Sequence, residues 1–171
     1  QAAMIQYINS EQTRHILSFE DPIEYVHKNI KSRITQRELG GDTYSFAQAL
    51  KHALRHDPDV IVVGEMRDYE TASAVISLAE TGHLVLTSLH TVDAGQTINR
   101  ILGMFSIEEE NQIRIRLADT IRWIVSQRLV PKIGGGRVAA FEVLGTNLRV
   151  KYTVLQGESE GKTYYEIMQA G

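Results

Sequence analysis

Four consecutive residues, Val60-Ile61-Val62-Val63, constrain this chain more than any other feature. All four are apolar and β-branched, a pattern that predicts a strand buried on both faces. Such a strand needs helices above and below it, as in the parallel sheet of an α/β domain. Two further apolar runs, residues 16–19 and 84–89, supply neighbours for it.

Helix signals fill the gaps between these runs. Ser45 with Gln48 has capping-box spacing, and Phe46, Ala49, Leu50, Ala53 and Leu54 form an apolar stripe that Asp57-Pro58 ends. Asp68 caps a second helix through Ala72, Val75, Ile76 and Ala79, closed by Gly82. Asp93 with Gln96 opens a third, and Ser106 with Glu109 a fourth. Glu108, Glu109 and Glu110 of the fourth lie at the positive end of its dipole. Residues 124–130 and 138–144 then read as strands around a Pro131 and Gly134-Gly135-Gly136 turn, and residues 149–168 as two short helices broken around residues 157–161. Met4, Ile5 and Ile8 have helical spacing with no capping residue before Gln1, which reads as the second half of a helix and predicts that the chain is a fragment.

Composition enters by exclusion. The chain has 171 residues and no Cys, so disulfides, cysteine zinc sites and thiol nucleophiles are ruled out. Lys and Arg total 18 against 21 Asp and Glu, a net charge of −3 that disfavours nucleic acid as a partner. No apolar run is long enough to span a bilayer, which predicts a cytoplasmic domain without membrane insertion.

Three constellations have chemical potential. Glu20-Asp21-Pro22-Ile23-Glu24 crowds three carboxylates beyond a buried strand, on the edge where open α/β sheets place their ligands. Its bland reading is a solvated acidic loop. Val60 to Val63 followed by Gly64-Glu65-Met66-Arg67-Asp68 has the pattern of a Walker B strand, which delivers a carboxylate to Mg²⁺ or to an attacking water. Gly64, however, stands where many such strands carry a metal-binding Asp. Residues 81–91 place His83 at the start of an apolar strand and His90 with Thr91 beyond its end, where an imidazole can sense a phosphate. His52 and His56 have i, i+4 spacing, but Ala53 replaces the metalloprotease glutamate. No Gly-x-x-x-x-Gly-Lys-Ser/Thr occurs, so the backbone nest for β- and γ-phosphates is absent from these residues.

In this order the motifs resemble the secretion-type ATPases of type IV pili and type II secretion, a RecA-like P-loop superfamily. Residues 20–27 resemble the family's Asp box, residues 57–68 its atypical Walker B (where the family also has Gly at the Gly64 position) and residues 81–91 its His box. Assembly and secretion members usually carry a four-cysteine zinc module. Its absence here, with Gly134-Gly135-Gly136 leading directly into Arg137-Val138-Ala139-Ala140-Phe141-Glu142, resembles the pilus-retraction branch. The tail departs from that branch, since Gly145-Thr146 leads into Asn147-Leu148-Arg149-Val150-Lys151 instead of Ala-Ile-Arg-Asn-Leu-Ile.

The resemblance implies an α/β fold, a RecA-like core over residues 1–145 that lacks its Walker A loop, and a C-terminal helical segment over residues 146–171. It implies ATP and Mg²⁺ as ligands. Glu24 and Glu65 become the catalytic carboxylates, with their roles undivided and Mg²⁺ reached from Glu65 through water. Glu20, Asp21, His83, His90 and Arg67 become nucleotide-binding or sensing residues. The implied assembly is a homo-hexamer at the cytoplasmic base of the pilus, working on an inner-membrane platform protein to retract pili. The alternatives are a pilus-assembly or secretion ATPase without the zinc module or, for the fragment alone, a non-catalytic oligomerisation module.

Overall fold

The computed structural model describes residues 1–170, which form two compact units, Gln1–Leu89 and the segment from His90 onward. The first unit begins with α1 (Ala2–Glu11) and β1 (His15–Glu20), followed by β2 (Arg33–Glu38) and α2 (Phe46–Ala53). A 3₁₀ turn over Leu54–His56 leads into β3 (Val60–Val63), α3 (Tyr69–Glu80) and β4 (Leu84–Thr87). The four strands form one parallel sheet in the order β2-β1-β3-β4.

β3 is buried along its whole length, as its β-branched run requires. The period of two divides the sheet into faces. Ile16, Val60 and Val62 point to α1 and pack with Ile5 and Ile8, with Ile34 and Leu86 at the margin. Leu17, Phe19, Ile61 and Val63 point to the other face, where α2 meets β1 and α3. The cap readings are confirmed atom by atom. Ser45 accepts from the Gln48 N–H, and Asp68 accepts from Thr71. Asp57 adopts a left-handed φ of 50° immediately before Pro58, which stops the helix there.

The apolar run at 84–89 is strand only as far as Thr87. One strand, β2, has no counterpart in the sequence reading. Its sequence, Arg-Ile-Thr-Gln-Arg-Glu, contains a single apolar residue and lies at the sheet edge, where little core contact is needed.

The second unit comprises α4 (Ala94–Leu102), α5 (Ile107–Thr120), a hairpin of β5 (Trp123–Pro131) and β6 (Arg137–Gly145), then α6 (Leu148–Gln156) and α7 (Tyr164–Gln169). Asp93 caps α4 through the Gln96 N–H at 2.8 Å, and Glu142 of β6 accepts from Ala94 at 2.7 Å. Glu109 returns its carboxylate to the Ser106 N–H and hydroxyl, completing the expected capping box. Arg114 of α5 grips Glu110 and donates to the Val154 carbonyl of α6 at 2.8 Å. Among the described residues, no helix is long and apolar enough to cross a membrane.

Candidate functional site

All four strands of the first unit run in the same direction, so their C-terminal ends share one edge. That edge brings Glu20 of β1 beside the turn that follows β3. Gly64 makes this approach possible. Its N–H donates to the Phe19 carbonyl at 2.8 Å, and a Cβ there would lie 3.3 Å from both Glu20 Cα and the Phe19 oxygen. Both neighbours are backbone, so a larger residue forces the strand ends apart. Glycine here sets the distance between two acidic segments.

The same turn is tied to the segment after β4. The Ser88 hydroxyl donates to the Gly64 carbonyl, and the Met66 N–H donates to the Ser88 carbonyl at 3.0 Å. Glu65, between the two anchored residues, keeps only 18% of its side chain exposed. Its Oε2 lies 2.6 Å from Arg67 Nη2, whose own side chain is 61% exposed. The bond to Glu65, and then its charge, raise the Arg67 pKa above the usual guanidinium value. The charge of Asp21 adds to the rise, so Arg67 spans both acidic segments electrostatically.

α1 starts at this edge as well. The Gln1 side-chain amide donates to the Val63 carbonyl at 3.2 Å, which ties α1 to the end of β3.

The acidic loop leaves β1 through Asp21–Pro22, a cis peptide. Asp21 and Glu24 are exposed, whereas Glu20 is half-buried and accepts from the Ser18 hydroxyl at 2.7 Å and the Gln36 amide at 3.0 Å. Burial pushes the His27 imidazole below its ordinary pKa, opposed by the Glu20 carboxylate, and its ring stands edge-on to Tyr25 with centroids 4.8 Å apart. Further along, the fully buried Asn9 of α1 donates to the Lys28 carbonyl at 2.8 Å and accepts from Ile30 at 3.0 Å. Gln36, Glu38 and Asn9 were not foreseen from the sequence. Their partners lie 9 to 21 residues away, and no periodic pattern marks such pairs.

The structure thus gathers Glu20, Asp21, Glu65 and Arg67 on one edge, with Glu24 in the exposed loop beyond it. His83 lies at the opposite edge, where β4 begins. Its Nδ1 is 2.9 Å from the Thr81 hydroxyl and 3.2 Å from the Leu78 carbonyl, so it locks the end of α3. His90 is exposed and opens the second unit. Beside it, the Thr91 and Thr97 hydroxyls are 2.7 Å apart. Among the described residues, no three His, Asp or Glu side chains converge closely enough to hold a metal ion by themselves. The carboxylate edge is thus no all-protein metal cage, and an ion held there would need ligands from outside the chain.

Comparison with known proteins adds an independent line of support. The chain is 50% identical over 143 residues to the type IV pilus retractation ATPase PilT of Pseudomonas aeruginosa, covering 84% of this chain and 42% of that protein. A solved structure of the pilus retraction motor PilT with bound ADP superposes with a TM-score of 0.92 at 50% identity, over 99% of this chain and 49% of that one. The ATPase DotB of Legionella pneumophila follows at a TM-score of 0.85 and 36% identity, over 99% of this chain and 46% of that one. The chain thus spans less than half the length of the relatives it matches. Residues 2–155 match the family described as Type II/IV secretion system protein, and the chain belongs to that family.

Proposed function

We propose that this chain is the ATPase part of a hexameric motor that hydrolyses ATP to retract and disassemble type IV pili, the activity behind twitching motility. The observation that carries the reading is the convergence of Glu20-Asp21 and Glu65-Arg67 on one edge of the parallel sheet, in a chain half identical to a pilus-retraction ATPase.

Phosphoryl transfer asks a protein for positioning and charge rather than covalent chemistry. Glu24 accepts a hydrogen bond from the attacking water and polarises it. Glu65 would hold Mg²⁺ through water, or would share the base role. Mg²⁺, when bound with ATP, neutralises charge that develops on the phosphates. Arg67 holds Glu65 in place and offers a cation to an incoming anion. Glu20 and Asp21 bind or sense the nucleotide. His90 reports on the γ-phosphate, and His83, at the far edge, supports packing near a subunit boundary.

The Walker A loop is not encoded in these 171 residues. The chain alone is therefore expected to be inactive, and turnover belongs to a protein that also supplies that loop. The motor's partner is an inner-membrane platform protein at the cytoplasmic base of the pilus. Retraction is favoured over assembly by the identity to PilT and by the absence of Cys for a zinc module. Deleting the gene in its source bacterium tests this choice. Surface pili that persist without twitching support retraction, and loss of the pili themselves makes the protein an assembly ATPase.

A further inference from the structure

We propose that Gln36 of β2 is a positioning residue that holds the acidic loop in its reactive shape, with Glu38 as a second anchor. The proposal rests on the ATPase reading above and assigns it a residue outside the three motifs.

The side-chain amide of Gln36 makes three bonds to the loop at once. Nε2 donates to Glu20 Oε1 at 3.0 Å and to the Tyr25 carbonyl at 2.9 Å, while Oε1 accepts from the His27 N–H at 2.8 Å. The orientation of the amide is fixed by chemistry, because a carboxylate and a carbonyl can only accept and a backbone N–H can only donate. One side chain thus joins the start of the loop at Glu20 to its far limb at Tyr25 and His27, with Glu24 between them. Two residues along the same face of β2, Glu38 Oε2 accepts from the Ile23 N–H at 2.9 Å, one residue before Glu24. Two polar side chains on one edge strand are thereby committed to loop backbone instead of solvent or core. Their placement explains why β2 carries polar residues where β3 is apolar throughout.

No other side chain of similar size supplies this pattern. A glutamate at position 36 can still accept from His27 but, when ionised, cannot donate to Glu20 or Tyr25, and it sets a second carboxylate beside Glu20. Methionine fills the same volume and makes none of the bonds. The charged and titratable groups around the site include Glu20 on β1, Glu38 on β2 with Asp42 bonded to its N–H, and Glu24, Tyr25 and His27 in the loop.

The test compares Gln36→Met and Gln36→Glu with the unsubstituted protein, in the Walker A-containing ATPase. Two readouts are followed: steady-state ATP turnover against pH, and amide hydrogen exchange at Ile23 and His27. Misplacing a reacting group by about 1 Å costs on the order of a hundredfold. The expected result for Gln36→Met is a kcat lower by about that factor, KM for ATP changed less than threefold, and faster exchange at His27. Gln36→Glu is expected to be equally slow at pH 8 and to recover relative to the unsubstituted protein toward pH 6. The recovery arises because paired carboxylates raise one another's pKa, and the introduced carboxyl, once protonated, donates a hydrogen bond again. A purely structural role would show no such pH-dependent rescue. Unchanged kcat in both variants, or unchanged His27 exchange in Gln36→Met, overturns the proposal while leaving the ATPase reading intact. An unsubstituted protein with no ATP turnover overturns the ATPase reading itself, and with it the catalytic role of Gln36.

Discussion

β3 and β2 both flank the acidic end of the first unit, yet they are built on opposite rules. β3 is four β-branched residues, each buried. β2 is an edge strand with a single apolar residue, Ile34, against the core that α1 covers. β3 is held by what surrounds it and delivers Glu65 as a consequence of where it ends. β2 contributes little to the core, and its polar atoms shape the loop that carries Glu24. The comparison separates two jobs within one sheet. The inner strands supply stability and the edge strand supplies geometry, so substitutions in the two should leave different signatures.

The largest expected effect is on stability, in β3. Ile61 is fully buried, and Ile61→Ala removes most of a side chain from a packed core at a cost of about 2–5 kcal/mol. Urea unfolding followed by circular dichroism should show a matching fall in midpoint. Gly64→Ala is expected to cost less, about 1–3 kcal/mol, because its Cβ meets backbone at 3.3 Å and the strand ends must part. Its effect on the site should exceed its effect on stability, since the shift falls between Glu20 and Glu65. A Gly64→Ala variant that unfolds like the parent and keeps full turnover would break the link between strand spacing and the site. On β2, by contrast, Gln36→Met is expected to move the unfolding midpoint little while slowing turnover, and a loss of stability as large as that of Ile61→Ala would erase the distinction between the strands.

The smallest effect lies at the opposite edge of the sheet. Asp59 accepts from the His15 N–H at 2.8 Å and pairs with Arg14 at 3.1 Å, and the bond from His15 is the main cause of its lowered pKa. A carboxylate with a depressed pKa adds stability above its unfolded value, near pH 4, and that stability is lost as pH falls through the folded value. Its side chain is 41% exposed, so solvent screening keeps the contribution below about 1 kcal/mol. Asp59→Asn should lower stability slightly at pH 7 and flatten the acid limb of the stability profile. Indistinguishable acid limbs would mean that this edge lock contributes nothing.

The same contrast explains what the sequence disclosed. β3, β1 and the capped helices α2 to α5 are legible because their signals are local: a β-branched run, a cap and a stripe three or four residues apart. The sequence placed Glu24, Glu65 and His90 with Thr91 on one sheet edge; Glu65 does follow β3 at that edge, whereas His90 opens the second unit. β2 was not legible, because Gln36 and Glu38 bond to a loop rather than to a core and leave no alternation of apolar residues. Asn9 was hidden for a related reason. Within the periodicity of α1 it reads as an ordinary polar position, yet it is fully buried and its amide belongs to Lys28 and Ile30. Local pattern therefore located the acids, and non-local hydrogen bonds determine how the loop holds Glu24.

If these acids perform ATP hydrolysis, replacing them with amides must slow it. The most direct test is single-turnover hydrolysis of Mg²⁺-ATP by the Walker A-containing protein with Glu24→Gln and Glu65→Gln, alongside nucleotide affinity. The expected result is near-normal affinity for Glu24→Gln with hydrolysis slowed by about a hundredfold or more, in line with general acid–base contributions. Glu65→Gln is expected to slow hydrolysis comparably and to weaken the dependence on Mg²⁺. Hydrolysis at the unsubstituted rate in both variants would contradict the claim and reduce the acidic edge to a structural feature.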